Sequence, residues 1–239
     1  MKSSLLILPL ISLVGCASLS SYQEARVVAP GKAQMTLGMT GLSDGLVRPI
    51  VTPENTEDTL DGISMYTAEL MFRFGIVKGL DLGYKATFPF GQHLDLKYQI
   101  VGRESDARFQ LSLGAKAGIS MFELAKPKLE EDKHTMVVDV GAPLYLTYLP
   151  TDWAAITLAP QYIHRIGDIP EVEGELVGAN IGVRLGDKTG VRGEFGMHRN
   201  LNNGYNLLNY GAVFYTPVDL WTALGFLFGG GNSRNDRFW

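Results

Sequence analysis

The side chains that could do chemistry are few and lie far apart in this sequence. The four histidines are His93, His134, His164 and His198, and no two of them have the close spacing of a zinc site on one element. The only cysteine is Cys16, which therefore has no disulfide partner within the chain. We therefore expect no metal site and no cofactor. Among the reactive groups, the thiol of Cys16 is the one whose sequence context indicates a role.

That context is an apolar run at the start of the chain. Lys2 supplies one positive charge, and residues 5–14 are apolar apart from two positions. The run is too short to span a bilayer permanently and is typical of a secretion signal. The sequence therefore predicts a signal peptide over residues 1–15.

The end of this run, Leu13-Val14-Gly15-Cys16, resembles the lipobox of bacterial lipoproteins. The resemblance implies a diacylglyceryl group on the sulfur of Cys16, cleavage before that residue and acyl chains such as palmitate. Two or more acyl chains anchor a protein stably in a membrane. Ala17 follows the cysteine where an Asp would retain such a protein at the inner membrane, so the resemblance implies the outer membrane of a Gram-negative bacterium. Outer-membrane lipids and the lipoprotein-sorting machinery are then the implied partners.

From residue 31 onward, apolar and polar residues alternate with the period of two that belongs to β-strands. The alternation is clearest over 80–90, 109–121 and 136–148. Weaker alternation predicts further strands at 31–41, 63–76, 92–102, 153–166, 173–186, 189–199, 205–215 and 219–228. The fold class we predict is all-β.

The connections between these strands also differ in length. Segments 42–62 and 122–133 are long and polar, whereas 77–79 and 150–152 are tight turns. Long loops on one side and short turns on the other are typical of an up-and-down antiparallel transmembrane β-barrel. Because such barrels usually have an even number of strands, we expect about twelve, with 231–239 as a short last strand, or ten if one weak pattern fails.

The polar face indicates which side of the barrel faces lipid. Small apolar residues such as Ala86 and Ala115 would fill a wide soluble interior poorly, whereas they can face lipid without interlocking. The charged residues are then candidates for the lumen: Glu69, Arg73, Asp81, Lys85, Asp95, Lys97, Lys116, Asp139, Arg184, Arg192 and Glu194. Aromatic residues near strand ends are candidates for interfacial girdles: Phe88, Phe90, Phe122, Tyr148, Trp153, Tyr162, Tyr215 and Trp221.

A second resemblance concerns catalysis. His198-Arg199-Asn200 followed by Asn202-Asn203-Gly204 is similar to the His- and Asn-rich signature of outer-membrane lipid A deacylases. That family has a serine two residues after the histidine, and Asn200 stands there. The nucleophile is missing where the motif needs it, so we expect no enzymatic activity.

The sequence thus predicts three regions: a signal peptide at 1–15, a lipidated linker at 16–30 and an outer-membrane β-barrel at 31–239. The barrel would be a small pore or transporter-like protein, or a closed structural barrel, inserted by the barrel-assembly machinery, with Cys16 tethered at the periplasmic leaflet. A lipid-modifying enzyme and a lipocalin-like lipoprotein that binds a hydrophobic ligand are the alternatives. A net charge of −4 with interleaved signs argues against nucleic acid as a partner, and the oligomeric state stays open.

Overall fold

The computed structural model describes residues 19–43, 64–88, 91–103, 107–124, 133–167 and 173–228. The predicted signal peptide 1–15, Cys16 and the predicted last strand 231–239 lie outside these ranges, as do 17–18, 44–63, 89–90, 104–106, 125–132, 168–172 and 229–230. Ten strands precede one short helix: β1 Ala33–Ser43, β2 Ser64–Val77, β3 Leu80–Phe88, β4 Gly91–Val101, β5 Phe109–Leu124, β6 Lys133–Thr151, β7 Ala154–Gly167, β8 Gly174–Gly186, β9 Gly190–Asn200, β10 Asn206–Val218 and α1 Leu220–Phe228.

The ten strands form one closed barrel. Each strand pairs antiparallel with its sequence neighbours, and β1 pairs with both β2 and β10. The closing pair runs from Ala33 opposite Val218 to Ser43 opposite Leu208, so no free edge remains along these strands. The prediction of an all-β, up-and-down antiparallel barrel is confirmed, with ten strands, the smaller of the two numbers expected.

The two ends of the barrel differ. One end carries the connections β2–β3, β4–β5, β6–β7 and β8–β9, together with the start of β1 and the end of β10; we call it the turn end. The opposite end carries the β1–β2, β3–β4, β5–β6, β7–β8 and β9–β10 connections, and we call it the long-loop end because 44–63 and 125–132 belong to it. The two connections that the sequence marks as long therefore belong to the same end.

The segment 219–228 was predicted to be a strand and is instead helical. The side chain of Asp219 accepts a hydrogen bond from the backbone N–H of Thr222 at 2.8 Å, which caps the first turn of α1. In a short, mostly apolar segment, the spacing of apolar residues does not distinguish a strand from a helix. Because β1 already pairs with β10, a further strand would find no partner. In the described part of the chain, no helix has the length and apolarity needed to cross a bilayer.

Apolar side chains cover the outside of the barrel. Large hydrophobic residues along the middle of the strands are exposed there, among them Leu94, Leu113, Val140, Ile156, Ile181 and Phe195. Helix α1 shields a small patch of this surface, where Ala223 packs against Ala33 and Phe72. A soluble protein rarely leaves so large an apolar surface uncovered.

Aromatic pairs mark both rims of this outer surface. The rings of Phe109 and Tyr148 lie 4.8 Å apart near the turn end, and those of Tyr66 and Tyr210 lie 6.3 Å apart near the long-loop end. Tyr215 does not belong to the predicted girdle, because its ring lies in the interior beneath the Arg192 guanidinium, 5.2 Å away. The side chains of Phe90 and Phe122 lie outside the described part.

Candidate functional site

The interior of the barrel is polar and highly charged. The structure places all eleven charged residues singled out from the sequence on the inner face; nine of them are buried, and Asp95 and Lys116 are partly exposed. Arg165 is an additional interior charge that the sequence analysis did not single out. It lies four residues after Gln161 on the same face of β7, so the alternation contained the signal.

Some of these charges pair with one another across neighbouring strands. Near the turn end, the Arg73 guanidinium bridges the carboxylates of Asp81 and Asp95, and the Lys97 ammonium lies 3.7 Å from Asp81. This cluster ties β2, β3 and β4 together from the inside.

A second pair joins β6 and β7. Arg165 donates two parallel hydrogen bonds to the carboxylate oxygens of Asp139, at 2.8 and 2.9 Å. This fork geometry is the strongest form of the arginine–carboxylate interaction. The pair joins two neighbouring strands of the wall.

The centre of the lumen is filled by the chain's own N-terminal segment. Residues 19–30, which we call the plug segment, run through the barrel from the long-loop end to the turn end. Leu19 packs between Ile163 and Leu176 near the ends of their strands at the long-loop end. At the opposite end of the segment, the backbone N–H of Val28 donates to Asp81 at 3.0 Å.

The first half of the plug segment binds two wall carboxylates. The Ser20 hydroxyl donates to Glu69 at 2.9 Å, and the Lys85 ammonium donates to the Ser20 carbonyl at 2.9 Å. The backbone N–H groups of Ser21 and Tyr22 both donate to Glu194 at 2.7 Å. Buried carboxylates are costly without donors, so these contacts stabilise both the segment and the wall.

The second half is held by Glu24, the only acidic residue within 16–30. Its Oε1 lies 2.7 Å from Arg184 Nε and 2.6 Å from Arg192 Nη2. The two arginines are directly opposite each other on β8 and β9. Like charges in this arrangement repel, and the Glu24 carboxylate between them supplies the missing anion.

Backbone groups complete the attachment. The Lys97 ammonium donates to the carbonyls of Glu24 and Arg26 at 2.7 and 2.9 Å, and the Ala25 N–H donates to the Thr147 hydroxyl at 2.9 Å. A segment with no secondary structure must satisfy its buried polar backbone with side chains, and the lumen wall provides them.

The charges of the wall and the plug segment are complementary. Among the strand side chains that the structure describes, seven basic ones face the lumen: Arg73, Lys85, Lys97, Lys116, Arg165, Arg184 and Arg192. Five carboxylates face it: Glu69, Asp81, Asp95, Asp139 and Glu194. The wall therefore has an excess of positive charge, which Glu24 reduces.

A cavity of about 240 Å³ remains between the plug segment and the wall. Lys32 and Asp187 line it near the turn end, and Lys85 and His93 line it deeper in the barrel. Since one water occupies about 30 Å³ of liquid, this space fits several waters. Its charged lining is chemically unlike the apolar cavity that a lipocalin-like ligand would need.

The residues of the deacylase-like motif have structural contacts. The Nε2 atom of His198 lies 2.6 Å from the amide nitrogen of Gln161, deep in the lumen. Asn200 accepts a hydrogen bond from the Asn202 N–H at 2.9 Å and donates to the Glu173 carbonyl at 3.2 Å, so it shapes the β9–β10 turn. Within the described ranges, no three His, Cys, Asp or Glu residues are grouped as metal ligands.

Comparison with known proteins gives no match to a family model and none to a curated protein. Among solved structures, the chain is similar to the N-terminal β-barrel domain of Pseudomonas aeruginosa OprF, at 9% identity. The alignment covers 79% of this chain and 99% of that chain, with a TM-score of 0.26. Because identity and score are this low, the assignment as a closed ten-stranded barrel rests on the strand pairing of the chain itself.

Proposed function

We propose that this chain is a lipid-anchored outer-membrane β-barrel that is kept closed by its own N-terminal segment. The observation that carries the proposal is the position of Glu24, which lies between two wall arginines that face each other. Without the plug segment these two cations would stand unpaired in the lumen. The lumen wall is therefore lined with charged side chains, as in a pore. In the resting form, the plug segment closes this lumen.

The distribution of side chains supports a membrane location. Charged residues occupy the interior, and the exposed middle of the strands is apolar. Strands of 9 to 19 residues are long enough to cross the hydrocarbon when tilted, which takes about 9–11 residues. The aromatic pairs at the two rims fit the headgroup levels of a bilayer.

The lipid anchor rests on the lipobox resemblance at Cys16 and gives the chain a second attachment to the membrane. Delivery by the lipoprotein-sorting machinery and insertion by the barrel-assembly machinery belong to the same proposal. Mass spectrometry of the mature protein should show a diacylglyceryl group at residue 16, and Cys16→Ser should lose it. A mature chain with an unmodified cysteine would contradict the anchor.

Whether the barrel itself spans the membrane can be tested without the anchor. Cys16→Ser, exported by a signal that does not depend on lipidation, should resist carbonate extraction and migrate differently on gels before and after heating. Recovery of this variant as a soluble periplasmic protein would contradict the barrel's insertion and would favour the lipocalin-like alternative.

Closure of the lumen can be tested in planar bilayers. Glu24→Gln keeps the side-chain shape but removes the charge that pairs with both arginines, so it should produce discrete opening events that the unaltered protein lacks. Arg26→Ala is the matched control, because the Arg26 side chain is exposed and the backbone carbonyl that accepts from Lys97 is kept. Steady conductance of the unaltered protein would contradict the closed state.

The proposal assigns no catalysis to the chain. It is supported by His198, whose Nε2 atom contacts the side-chain amide of Gln161. Incubation of the folded protein with lipopolysaccharide, followed by mass analysis of the lipid, should show no loss of acyl chains. Acyl loss that His198→Ala abolishes would contradict this view.

A further inference from the structure

The cavity between the plug segment and the wall has a strongly basic lining. Among the residues that the structure describes, eight lysine and arginine side chains line it, against three carboxylates. Two of the lining residues, Lys32 and Asp187, are exposed at the turn end, so the cavity is open to solvent there. A cleft lined mainly by one sign of charge concentrates ions of the opposite sign. Small anions should therefore accumulate in this cavity.

Lys116 is a cation of this lining that has no ion-pair partner in the described part of the chain. Its Nζ atom instead donates to Gln161 Oε1 at 2.5 Å, which is an uncharged amide oxygen. The other interior cations of the lining contact carboxylates: Arg73, Lys85, Lys97, Arg184 and Arg192. A charge held inside a protein without a counter-ion is costly, so an anion beside Lys116 would be stabilised.

Two further basic side chains border the cavity next to Lys116. Lys85 stands opposite His93 in the β3–β4 pair, and His93 stands opposite Gly118, two residues after Lys116 on the same face of β5. A Cβ at Gly118 would lie only 2.0 Å from His93 Nδ1, so the glycine leaves the room that the imidazole occupies. The Nε2 atom of His93 has no partner among the described residues, so an N–H there is free to donate to an anion.

We propose that the cavity binds a small tetrahedral oxyanion, of the class of phosphate or sulfate, beside Lys85, His93 and Lys116. Lysine ammonium groups bind phosphate as point charges, and each has three N–H donors for its oxygens. Asp95 lines the same cavity, but its carboxylate is paired with Arg73 and opposes an anion less. The volume of about 240 Å³, enough for several waters, fits an ion of this size.

This inference goes beyond the proposed function. It needs only the barrel with the plug segment in its lumen, and neither the lipid anchor nor the membrane enters the argument. Its failure would therefore leave the proposed function in place.

Isothermal titration calorimetry of the folded protein in detergent tests the site. Sodium phosphate and sodium sulfate are titrated separately, at an ionic strength kept constant with sodium chloride. The unaltered protein should bind an oxyanion saturably, and the tighter of the two identifies the preferred ion. Because chloride is present throughout, saturable binding also shows that the site prefers an oxyanion to chloride.

Three variants locate the binding. Lys116→Gln should weaken it by at least about tenfold, because a charge-assisted hydrogen bond is lost. Lys116→Arg keeps the charge and should retain binding. Lys78→Gln is the matched control, because Lys78 is exposed in the β2–β3 turn and does not line the cavity. Heat-modifiable migration shows that each variant has folded.

Two results would overturn the inference. The first is the absence of saturable binding of either oxyanion to the folded, unaltered protein, which requires no variant. The second is equal binding by Lys116→Gln and Lys78→Gln, which would mean that the anion binds away from Lys116. The conductance measurements on Glu24→Gln test the closed barrel separately from both results.

Discussion

Glu24 is the residue on which the proposed closed state depends most directly. Its carboxylate is buried and bridges Arg184 and Arg192, so it lowers the repulsion between two cations placed opposite each other. Removing one partner of a buried charge pair is costly because the other charges stay behind unpaired. The plug segment is therefore expected to open more often when this charge is removed.

Hydrogen exchange measures this opening residue by residue. Glu24→Gln should weaken the segment by about 2 kcal/mol, which is on the order of thirtyfold faster exchange of the buried amides of Tyr22 and Ala25. Adding Arg184→Gln should slow the exchange again, because it removes the repulsion that Glu24 relieves. Unchanged exchange in Glu24→Gln would contradict the role of this contact, and Arg26→Ala provides the baseline.

The role of Glu24 could not be read from the sequence. Its two partners lie more than 150 residues away along the chain, and its neighbours show no alternation that predicts an element. The interior wall charges, by contrast, follow from alternation within each strand, as Asp81 and Lys85 do in β3. Alternation indicates on which side of a strand a side chain lies. It gives no information about which segment of the chain occupies the lumen.

Among the elements, the strands follow from alternation and α1 does not. The alternation over 219–228 is weak because apolar residues also stand at neighbouring positions, as at 220–221 and 226–228, so the same sequence fits an exposed strand and a helix that packs on the barrel. The closure of the barrel decides between the two, because β1 pairs with β10 and leaves no free edge for a further strand. The predicted twelfth strand at 231–239 lies outside the described residues.

The start of α1 should respond to acid. Hydrogen bonds from the Thr222 hydroxyl and N–H lower the pKa of the exposed Asp219 carboxyl below its usual value. A carboxyl with a lowered pKa in the folded state adds stability above its unfolded pKa of about 3.9, and that contribution is lost as the pH falls through the lowered value. The first turn of α1 should therefore loosen as the pH falls below about 4.

Trp221, the second residue of α1, reports this change when it is the only tryptophan retained. Its emission should shift as the pH falls through this range. Asp219→Asn is the matched control, because Asn caps a helix nearly as well as Asp but does not titrate there. An equal shift in Asp219→Asn would show that the carboxyl is not the group responsible.

In the molecule as a whole, the lumen wall carries an excess of positive charge and the plug segment contributes a negative charge at Glu24. The described wall has seven basic and five acidic lumen side chains, and the plug segment contributes Glu24 where two of the basic ones meet. This complementarity and the space that the segment fills both support the proposed closed resting state. An emptied lumen keeps the excess positive charge of its wall.

The ion selectivity of the emptied lumen tests whether its wall carries this excess of positive charge. A mature chain without residues 19–28 should conduct and should prefer anions, because rings of fixed charge attract the opposite ion. Arg184→Glu with Arg192→Glu in the same shortened chain changes the described wall to five basic and seven acidic side chains, so the preference should reverse to cations. The reversal potential in a salt gradient measures both, and heat-modifiable migration shows that each variant has folded. Cation preference in the shortened chain with its arginines intact would contradict the assignment of these side chains to the conducting lumen.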